Sequence, residues 1–589
     1  MNEIVTSDPA PPGEGNAAPE ETERRVGVRW AVVAAAVYLA GAIALTWPLV
    51  AHLPNSTPST YQDSRHIVWL LSWDAHVLAH EPTHLFEAPN FWPEPDTLTY
   101  TDHIMGLGIF AAPVIWATGN PYLAHNLLFI GSIAFAGWAA FLLAFDITGS
   151  RRAALVGGAV FAFAPYWFGP IINLSHLQTI AVGWMPLAIY ALRRWLRSGR
   201  LGPLVGLSAA FVMGTLTSWY ECVLLLVGLV VFALFHLRMA REVRVRRLIA
   251  QGLVAAVAVG LVLAPFTLPY RRTQDRLPGY TRSLEDSRLF SARPSSFLAA
   301  PPTNVLYGGA TAGARAQQTS LESDLFPGIT TALLALLGLI SAWRSQHRRA
   351  LFALFGLCAV GVVLSFGGGS SGIRRYLPWS FLFEHVIFFR GLRAAARTHV
   401  LTLIGLSGLA AFGSRMVLGW LPRRSWLRNG CTVALVALVA LEGAAVPISL
   451  GVPVRPDSVH RALATRVGAI LELPTGFRIP GRVPPAWSRS RIYDVDYMLM
   501  NTADWLPLVN GFSSFEPPSY ASFMEAMAKL PDRRSLALLR SEGVRTVVIH
   551  LDRLAGTPWV GIEQRLARVA GMRVIIRHDR TVVYDVSLP

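Results

Sequence analysis

Residues 61–103 read YQDSRHIVWLLSWDAHVLAHEPTHLFEAPNFWPEPDTLTYTDH, a polar segment that follows directly on the first apolar run of the chain. The segment concentrates acids, histidines and aromatic residues beside a candidate membrane span. The possible role of a carboxylate in such a loop depends on the side of the membrane that the loop faces.

The composition is typical of an integral membrane protein. Of the 589 residues, 53% are hydrophobic and 15% are charged, whereas about a quarter are charged in ordinary soluble proteins. The net charge of +16 comes almost entirely from arginine, Lys529 being the only lysine. The arginines stand in short clusters between apolar runs, which indicates membrane topology and argues against nucleic acid as a partner. Three cysteines, Cys222, Cys358 and Cys431, lie inside apolar segments and have neither disulfide nor metal-ligand spacing.

Spanning a bilayer takes about twenty apolar residues. Eleven segments meet this length approximately: 30–50, 121–145, 153–169, 177–192, 203–219, 222–237, 248–269, 326–343, 350–366, 398–416 and 430–450. The shorter run 104–118 contains Pro113 and is interpreted as re-entrant or surface-lying. With that choice the arginine clusters between the spans fall on the cytoplasmic side, as the positive-inside rule requires.

The sequence therefore predicts a multi-pass α-helical membrane protein with about 11 transmembrane helices. Residues 1–27 are predicted to be a disordered cytoplasmic tail, and residues 28–450 form the membrane domain with a large first extracytoplasmic loop at 51–120. A small extracytoplasmic α/β domain follows at 452–589. Its β-like runs are 468–473, 546–550, 572–577 and 581–586, and its helical runs are 519–529, 534–542 and 561–570.

The first loop supplies the candidate catalytic acid, Asp63. Its neighbours Ile67, Val68, Leu70 and Leu71 suggest an amphipathic helix lying on the membrane. His66 and Asp74, three and eleven residues further on, would share one face of this helix with Asp63. Asp63 could serve as a general base for a hydroxyl group or, equally, as a helix cap.

Asp102 and His103 close the same loop and could add a second acidic group to a site, or simply form a solvated loop end. His176 and Gln178 stand at the outer start of a span, and Glu221 stands between two spans near the outer interface. Each of these three could face a substrate cavity or satisfy local backbone groups. The four-residue spacing of His76, His80 and His84 is only a weak indication of a metal, because no carboxylate partner stands at ligand spacing.

Three arginines, Arg390, Arg393 and Arg397, stand at the outer end of a span, against the charge rule that the other loops obey. Their spacings of three and four predict one helical face. Outside the membrane their partner would be an anionic headgroup or a polyprenyl phosphate, which arginine binds with two hydrogen bonds. Simple anchoring to anionic lipid is the alternative.

The chain resembles the GT-C class of polyprenyl-phosphate-dependent glycosyltransferases, which includes protein O-mannosyltransferases and aminoarabinose transferases. The resemblance lies in the order of a first span, a loop bearing Asp63, the apolar run 104–118, and the sequence GNPYLAHN at 119–126 opening the next span, which ends in TGSRRAA at 148–154. A wider similarity links the chain to large bacterial membrane proteins. It rests on SHLQ at 175–178, GLR at 391–393 followed by Ala and Arg, and PLVNGFS at 507–513.

The GT-C resemblance implies a glycosyltransferase, inverting in mechanism, in the bacterial plasma membrane. It would move a sugar from a polyprenyl-phosphate donor to an envelope glycan, lipid or protein on the extracytoplasmic face. The resemblance assigns the base to Asp63. The acidic pair common in the class stands here as Asp63-Ser64, which leaves Asp102 as the second acid.

The cofactor stays open, with a divalent cation such as magnesium or manganese as the candidate. The rival hypothesis is a non-catalytic GT-C-like transporter or envelope-assembly protein. A transporter should carry ionisable residues inside its spans, and Glu442 is the clearest such residue in the sequence.

Overall fold

The computed structural model describes residues 26–169, 175–236, 245–277, 280, 282–318, 320–343, 348–477 and 492–587. The tail predicted at residues 1–27 lies outside these ranges except for its last two residues.

The membrane portion is built from α-helices. In chain order they are α1 Val28–Leu45, α2 Gln62–His80, α3 Met105–Thr118, α4 Pro121–Thr148, α5 Arg151–Ala162, α6 Leu177–Ile180, α7 Trp184–Ser198, α8 Leu201–Thr217, α9 Trp219–His236, α10 Val245–Arg276, α11 Leu284–Leu289, α12 Ala312–Arg315, α13 Ile329–Trp343, α14 Arg348–Ser365, α15 Pro378–His385, α16 His399–Trp420 and α17 Ser425–Gly443.

Seven helical segments in the described residues are long and apolar enough to cross a membrane. They are α1, α4, α9, α10, α14, α17 and the segment Ala395–Trp420 that contains α16. The multi-pass helical architecture is confirmed, but the count of eleven spans is not. The predicted span 153–169 holds a helix of only 12 residues, α5, and the predicted span 177–192 is divided between α6 and α7.

Local sequence explains the tight connection between α4 and α5. The Asn120 side chain accepts hydrogen bonds from the backbone N–H groups of Tyr122 and Leu123, which caps the first turn of α4. Gly149 ends that helix with a φ of 70°, a left-handed conformation that favours glycine. Ser150 then caps α5. The chain therefore reverses direction at the GS pair of TGSRRAA.

Helix α3 lies between α2 and α8, and two glycines make this close packing possible. A Cβ atom at Gly106 would lie 2.6 Å from the Thr217 hydroxyl of α8, and one at Gly108 would overlap the carboxylate of Asp74 on α2. Neither site has room for a side chain. This packing places the start of α3, and Asp102 just before it, beside the end of α8.

The C-terminal portion is a small α/β unit. Its helices are α18 Ser458–Leu463, α19 Asp494–Met500, α20 Pro518–Met527, α21 Arg533–Ser541 and α22 Ile562–Leu566, and its strands are β1 Ala469–Leu473, β2 Val544–His550, β3 Met572–His578 and β4 Thr581–Val586. The sheet order is β1-β2-β4-β3. Strands β1 and β2 are parallel, and the other two pairs are antiparallel. The four predicted strands are confirmed to within two residues at each end.

The prediction that α2 lies on the membrane as an amphipathic surface helix is wrong. Most of its residues from Ser64 to Val77 are buried. The helix packs against α3 and α4 on one side and against α19 of the C-terminal unit on another. An ion pair of 2.8 Å between Arg65 and Asp496 joins α2 to α19. The surface that would have met lipid headgroups is thus covered by protein.

Candidate active site

Asp102 is held against the start of α9 by two hydrogen bonds. The Ser218 hydroxyl donates to its Oδ2 at 2.9 Å, and the backbone N–H of Trp219 donates to its Oδ1 at 3.4 Å. The first N–H groups of a helix have no partner within the helix and attract anions. The carboxylate therefore occupies a position that suits a negative charge, although it belongs to a segment more than a hundred residues away.

Burial raises the pKa of Asp102 above its usual range, and several neighbours limit the rise. The Ser218 hydroxyl and the Trp219 N–H stabilise the ionised form by hydrogen bonding, and the charges of Arg397 and His176 act in the same direction. The net result is a carboxyl group that takes up a proton more readily than a solvated aspartate does.

Glu221 lies in the first turn of α9 and is only 3% exposed. Both of its carboxylate oxygens, and Oε1 of Gln178, are buried without a hydrogen-bond partner among the described residues. Buried polar atoms are normally paired, because an unpaired one costs free energy. Orphaned acceptors of this kind mark a place where a ligand or water can complete the hydrogen bonding.

A small cleft of about 30 Å³ brings these orphaned groups together. Its walls are formed by Tyr166, Trp167, Gln178, Thr179, Val182, Met185, Ser218, Tyr220, Glu221, Leu224, Arg397 and Val400. Ser218, which binds Asp102, is part of the wall, so the Asp102 carboxylate stands directly behind it. The cleft thus combines carboxylates from two segments with the guanidinium of Arg397.

Arg397 is the cation of this cleft and is paired with Glu322. Its Nε and Nη2 donate to the two carboxylate oxygens of Glu322 at 2.9 and 3.1 Å. The guanidinium also lies 4.9 Å from the centre of the Tyr220 ring, in cation–π contact. Burial alone would raise the pKa of Glu322, but the nearby positive charge, chiefly that of Arg397, outweighs it and lowers the pKa below its usual range.

Tyr220 also fixes the chain on the opposite side of the cleft. Its hydroxyl oxygen accepts hydrogen bonds from the backbone N–H groups of Arg393 and Ala394 at 2.7 and 3.0 Å. The start of α9 and the segment that leads into α16 are therefore joined by one side chain. This contact and the cation–π contact with Arg397 make Tyr220 the central scaffold of the cleft.

The prediction that Arg390, Arg393 and Arg397 share one helical face is wrong. Residues Ile387–Gly391 and Ala395–Thr398 form separate 3-10 turns, and Leu392 between them is extended, with φ of −91° and ψ of 126°. Arg390 is exposed and donates to the carbonyl groups of Phe383 and Glu384. Arg393 lies over the ring of Phe290 at 5.1 Å. Of the three arginines, Arg397 is the one that lines the cleft.

Asp63 lies in the first turn of α2 and is half-buried. Tyr61 is the N-cap residue, and no side-chain hydrogen bond caps this helix, so the capping alternative is not realised. The Asp63 carboxylate has no partner among the described residues, and it is not part of the cleft wall.

The His66 ring packs on Trp69 and Phe512, towards the C-terminal unit. Asp74 is fully buried beside Gly108.

His103 and His176, two histidines predicted to belong to the site, have different surroundings. The Nδ1 atom of His103 accepts a hydrogen bond from the backbone N–H of Met105 at 3.1 Å. The ring packs against Phe86 and Phe266, and burial lowers the pKa of His103 to about 3. His103 is therefore a neutral group that helps to begin α3. His176 is half-buried, with Nδ1 at 3.2 Å from the Ser175 hydroxyl.

Four residues of the site were missed in the sequence: Tyr166, Ser218, Tyr220 and Glu322. Ser218 carried a recognisable signal, because serine just before an apolar run is a common helix N-cap. Tyr220 adjoins the predicted Glu221. Glu322 carried no local signal, since the partner that gives it a role lies 75 residues away.

The group with metal-ligand geometry in the described residues is His460, Glu472 and His550, in the C-terminal unit. The weakly indicated series in the first loop does not form such a group. The rings of His76 and His80 stack with their centres 4.5 Å apart, and His84 is exposed beside Glu81. A metal could therefore be held by His460, Glu472 and His550.

Glu442 is the ionisable residue that would favour a transporter. It lies in the last turn of α17, and its carboxylate contacts the first turn of α13. Its carboxylate accepts hydrogen bonds from the Thr330 N–H at 3.0 and 3.1 Å and from the Tyr307 hydroxyl at 2.8 Å. An acid at a helix N-terminus is stabilising. These contacts give Glu442 a structural role.

No protein-family model and no curated protein matches the chain in sequence. Among solved structures, the chain is similar to the oligosaccharyltransferase of Archaeoglobus fulgidus in the apo form, with 11% identity and a TM-score of 0.48 over 89% of this chain and 69% of that chain. It is also similar to ArnT of Cupriavidus metallidurans bound to undecaprenyl phosphate, with 15% identity and a TM-score of 0.48 over 95% of this chain and 98% of that chain.

Proposed function

We propose that the chain is a membrane glycosyltransferase that moves a sugar from a polyprenyl-phosphate donor to a cell-envelope acceptor. The reaction takes place on the extracytoplasmic face of the bacterial plasma membrane, where the N-terminus is cytoplasmic and the C-terminal unit is outside. The observation that carries the proposal is the cleft in which Arg397 faces the orphaned Glu221 and the Asp102–Ser218 pair. Buried acids and a buried guanidinium around one cavity are the groups that glycosyl transfer from a phosphate requires.

Arg397 binds the departing phosphate. The guanidinium fork matches two phosphate oxygens as well as two carboxylate oxygens, so a lipid phosphate competes with Glu322 for the same hydrogen bonds. The positive charge stabilises the negative charge that develops as the sugar–phosphate bond breaks. Arg390 and Arg393, outside the cleft wall, meet the headgroups of neighbouring lipids.

A carboxylate takes the proton of the acceptor hydroxyl while the hydroxyl oxygen attacks the anomeric carbon. The bond from that carbon to the phosphate oxygen breaks in the same step, and the polyprenyl phosphate leaves. The configuration at the anomeric carbon of the transferred sugar is inverted. We assign the base to Asp63, as the GT-C resemblance implies; its half-buried carboxylate stands outside the cleft wall and has no partner among the described residues. Asp102 and Glu221 bind the hydroxyl groups of the sugar or acceptor, with His176 and Gln178 beside them. His103 and His66 act as positioning residues.

The test uses the full chain in liposomes with a polyprenyl-phosphate sugar as donor and membrane glycolipids as acceptors. The measured quantity is the release of polyprenyl phosphate. Asp63→Asn should reduce turnover by at least about a thousandfold, as the loss of a general base does, and Arg397→Gln should raise the KM for donor. Glu87→Gln, an exposed acid of the same loop, is the matched control and should not change either value.

Two results would redirect the proposal. Full activity of Asp63→Asn together with an inactive Asp102→Asn would transfer the role of base to Asp102. Absence of any donor turnover by the parent protein, with polyprenyl phosphate still bound in an Arg397-dependent way, would replace the enzyme by the non-catalytic alternative.

A further inference from the structure

The C-terminal unit contains a buried cluster of His460, Glu472 and His550 that the proposed transfer reaction does not use. Glu472 lies on β1, His550 ends the neighbouring strand β2, and His460 lies on α18. All three side chains are at most 4% exposed. Helix α18 and strands β1 and β2 thus each contribute one polar side chain to the same buried position.

The distances within the cluster approach those of a metal site. Nε2 of His460 lies 3.2 Å from Oε1 of Glu472, and Nε2 of His550 lies 2.6 Å from Oε2. One ligand atom from each residue can be chosen so that all three lie within 4.8 Å of one another. Ligand atoms around a tetrahedral zinc ion, with bonds of about 2.1 Å, are about 3.4 Å apart. Small side-chain adjustments therefore suffice to place an ion between them.

A second layer of contacts orients the three ligands as in metal sites. The Asp457 carboxylate accepts a hydrogen bond from Nδ1 of His460 at 2.7 Å, which turns Nε2 towards Glu472. The Asn510 side chain binds both the N–H and the carbonyl of Glu472, at 2.7 and 3.0 Å. The His550 ring stacks on Tyr497, with ring centres 4.9 Å apart and planes within 11°. The two imidazole rings are thus held by outer partners, and Asn510 fixes the backbone of Glu472.

We propose that this cluster binds a zinc ion through the Nε2 atoms of His460 and His550 and the carboxylate of Glu472. A water molecule completes the coordination. Two imidazole ligands favour zinc, since magnesium and calcium prefer oxygen donors.

The zinc ion fastens α18 to the parallel pair β1 and β2, and its role is structural. Tyr497, which covers His550, belongs to α19, and α19 is the helix that packs against α2. The ion therefore also stabilises the surface through which the C-terminal unit contacts the membrane portion. The inference does not depend on the proposed transferase activity.

The first measurement is the metal content of the full chain, purified without an affinity tag, supplied with zinc and then washed with a weak chelator. We expect about one zinc ion per chain, and loss of that ion in Glu472→Gln and in His550→Gln. His578→Gln is the control, because His578 is an exposed histidine of the same unit. It should keep the zinc.

Replacement of zinc by cobalt(II) supplies a second test that does not require a variant to fold. The parent protein should show the intense visible absorption of tetrahedral cobalt with nitrogen and oxygen ligands. A parent protein that retains no zinc and gives only the weak spectrum of octahedral cobalt would overturn the proposal, as would zinc that stays in folded Glu472→Gln. In that case the cluster is a hydrogen-bonded His–Glu–His network without an ion.

Discussion

The guanidinium of Arg397 and the carboxylate of Glu322 are joined by two hydrogen bonds of 2.9 and 3.1 Å, with side-chain exposures of 13% and 3%. The pair is thus withdrawn from water, and Glu322 occupies the hydrogen-bonding fork that a phosphate would use. In the proposed reaction Glu322 is therefore a competitor of the donor, and phosphate binding at Arg397 requires this ion pair to open or to share its hydrogen bonds.

Glu322→Gln should have opposite effects on stability and on phosphate binding. Removal of one partner from a buried ion pair costs about 3 kcal/mol in the free energy of unfolding. The same change leaves Arg397 without a competing anion, so the Kd for polyprenyl phosphate should fall. Thermal unfolding and lipid titration measure the two effects, with exposed Glu384→Gln as control. An unchanged Kd would show that Glu322 does not compete with the lipid.

Glu221→Gln should stabilise the protein and impair its activity. A buried carboxylate without a hydrogen-bond partner costs more than an amide in the same place, and the gain should be about 1 kcal/mol in the free energy of unfolding. The acidic group that is proposed to contact substrate is lost, so kcat/KM should fall. Measurements of unfolding and of turnover on the same preparation give the free energy of unfolding and kcat/KM. A less stable but fully active variant would mean that Glu221 has a structural role only.

Ser218→Ala should shift the acidic limb of the pH–activity profile. The Ser218 hydroxyl stabilises ionised Asp102 and so limits the rise in the pKa of Asp102 caused by burial. Without that hydrogen bond the pKa rises further, Asp102 is protonated at higher pH, and activity is lost at higher pH on acidification. A charge-assisted hydrogen bond of about 1.5 kcal/mol corresponds to a shift of about one pH unit. A profile that coincides with that of the parent would exclude an ionised Asp102 from the reaction.

Asp496→Asn should loosen the C-terminal unit from α2. The pair formed by Arg65 and Asp496 has side-chain exposures of 23% and 11%, and such partly buried pairs contribute about 1 kcal/mol. Hydrogen exchange should become faster in α2 and α19, while the strands keep their protection. Asp552→Asn, an exposed acid of the same unit, should leave exchange unchanged. Equal protection in both variants would mean that apolar packing alone holds the two parts together.

The fold could be predicted where local sequence dominates. The four strands of the C-terminal unit follow the short apolar runs, and Gly149 and Ser150 mark the turn between α4 and α5. The surface position of α2 could not be predicted, because its apolar stripe is covered by α19, more than four hundred residues later. Hydrophobic periodicity shows that a face is buried but not whether lipid or protein covers it.

The site was partly predictable for the same reason. Asp102, Glu221 and Arg397 stood out as charges at the outer ends of apolar runs, and they meet at one cleft. Glu322 could not be recognised, because its role exists only through Arg397. The cluster of His460, Glu472 and His550 was missed as well, since its ligands are 12 and 78 residues apart and come together only when β1 and β2 pair.

The wide separation of the cleft residues has a consequence for the synthesis of the protein. Asp102 meets Ser218 across 116 residues, and Glu322 meets Arg397 across a further 75. Each contact forms only after the later segment has left the ribosome and entered the membrane. A nascent chain that ends before residue 397 therefore lacks the cation of the cleft. The proposed transfer can therefore begin only after residue 397 has entered the membrane.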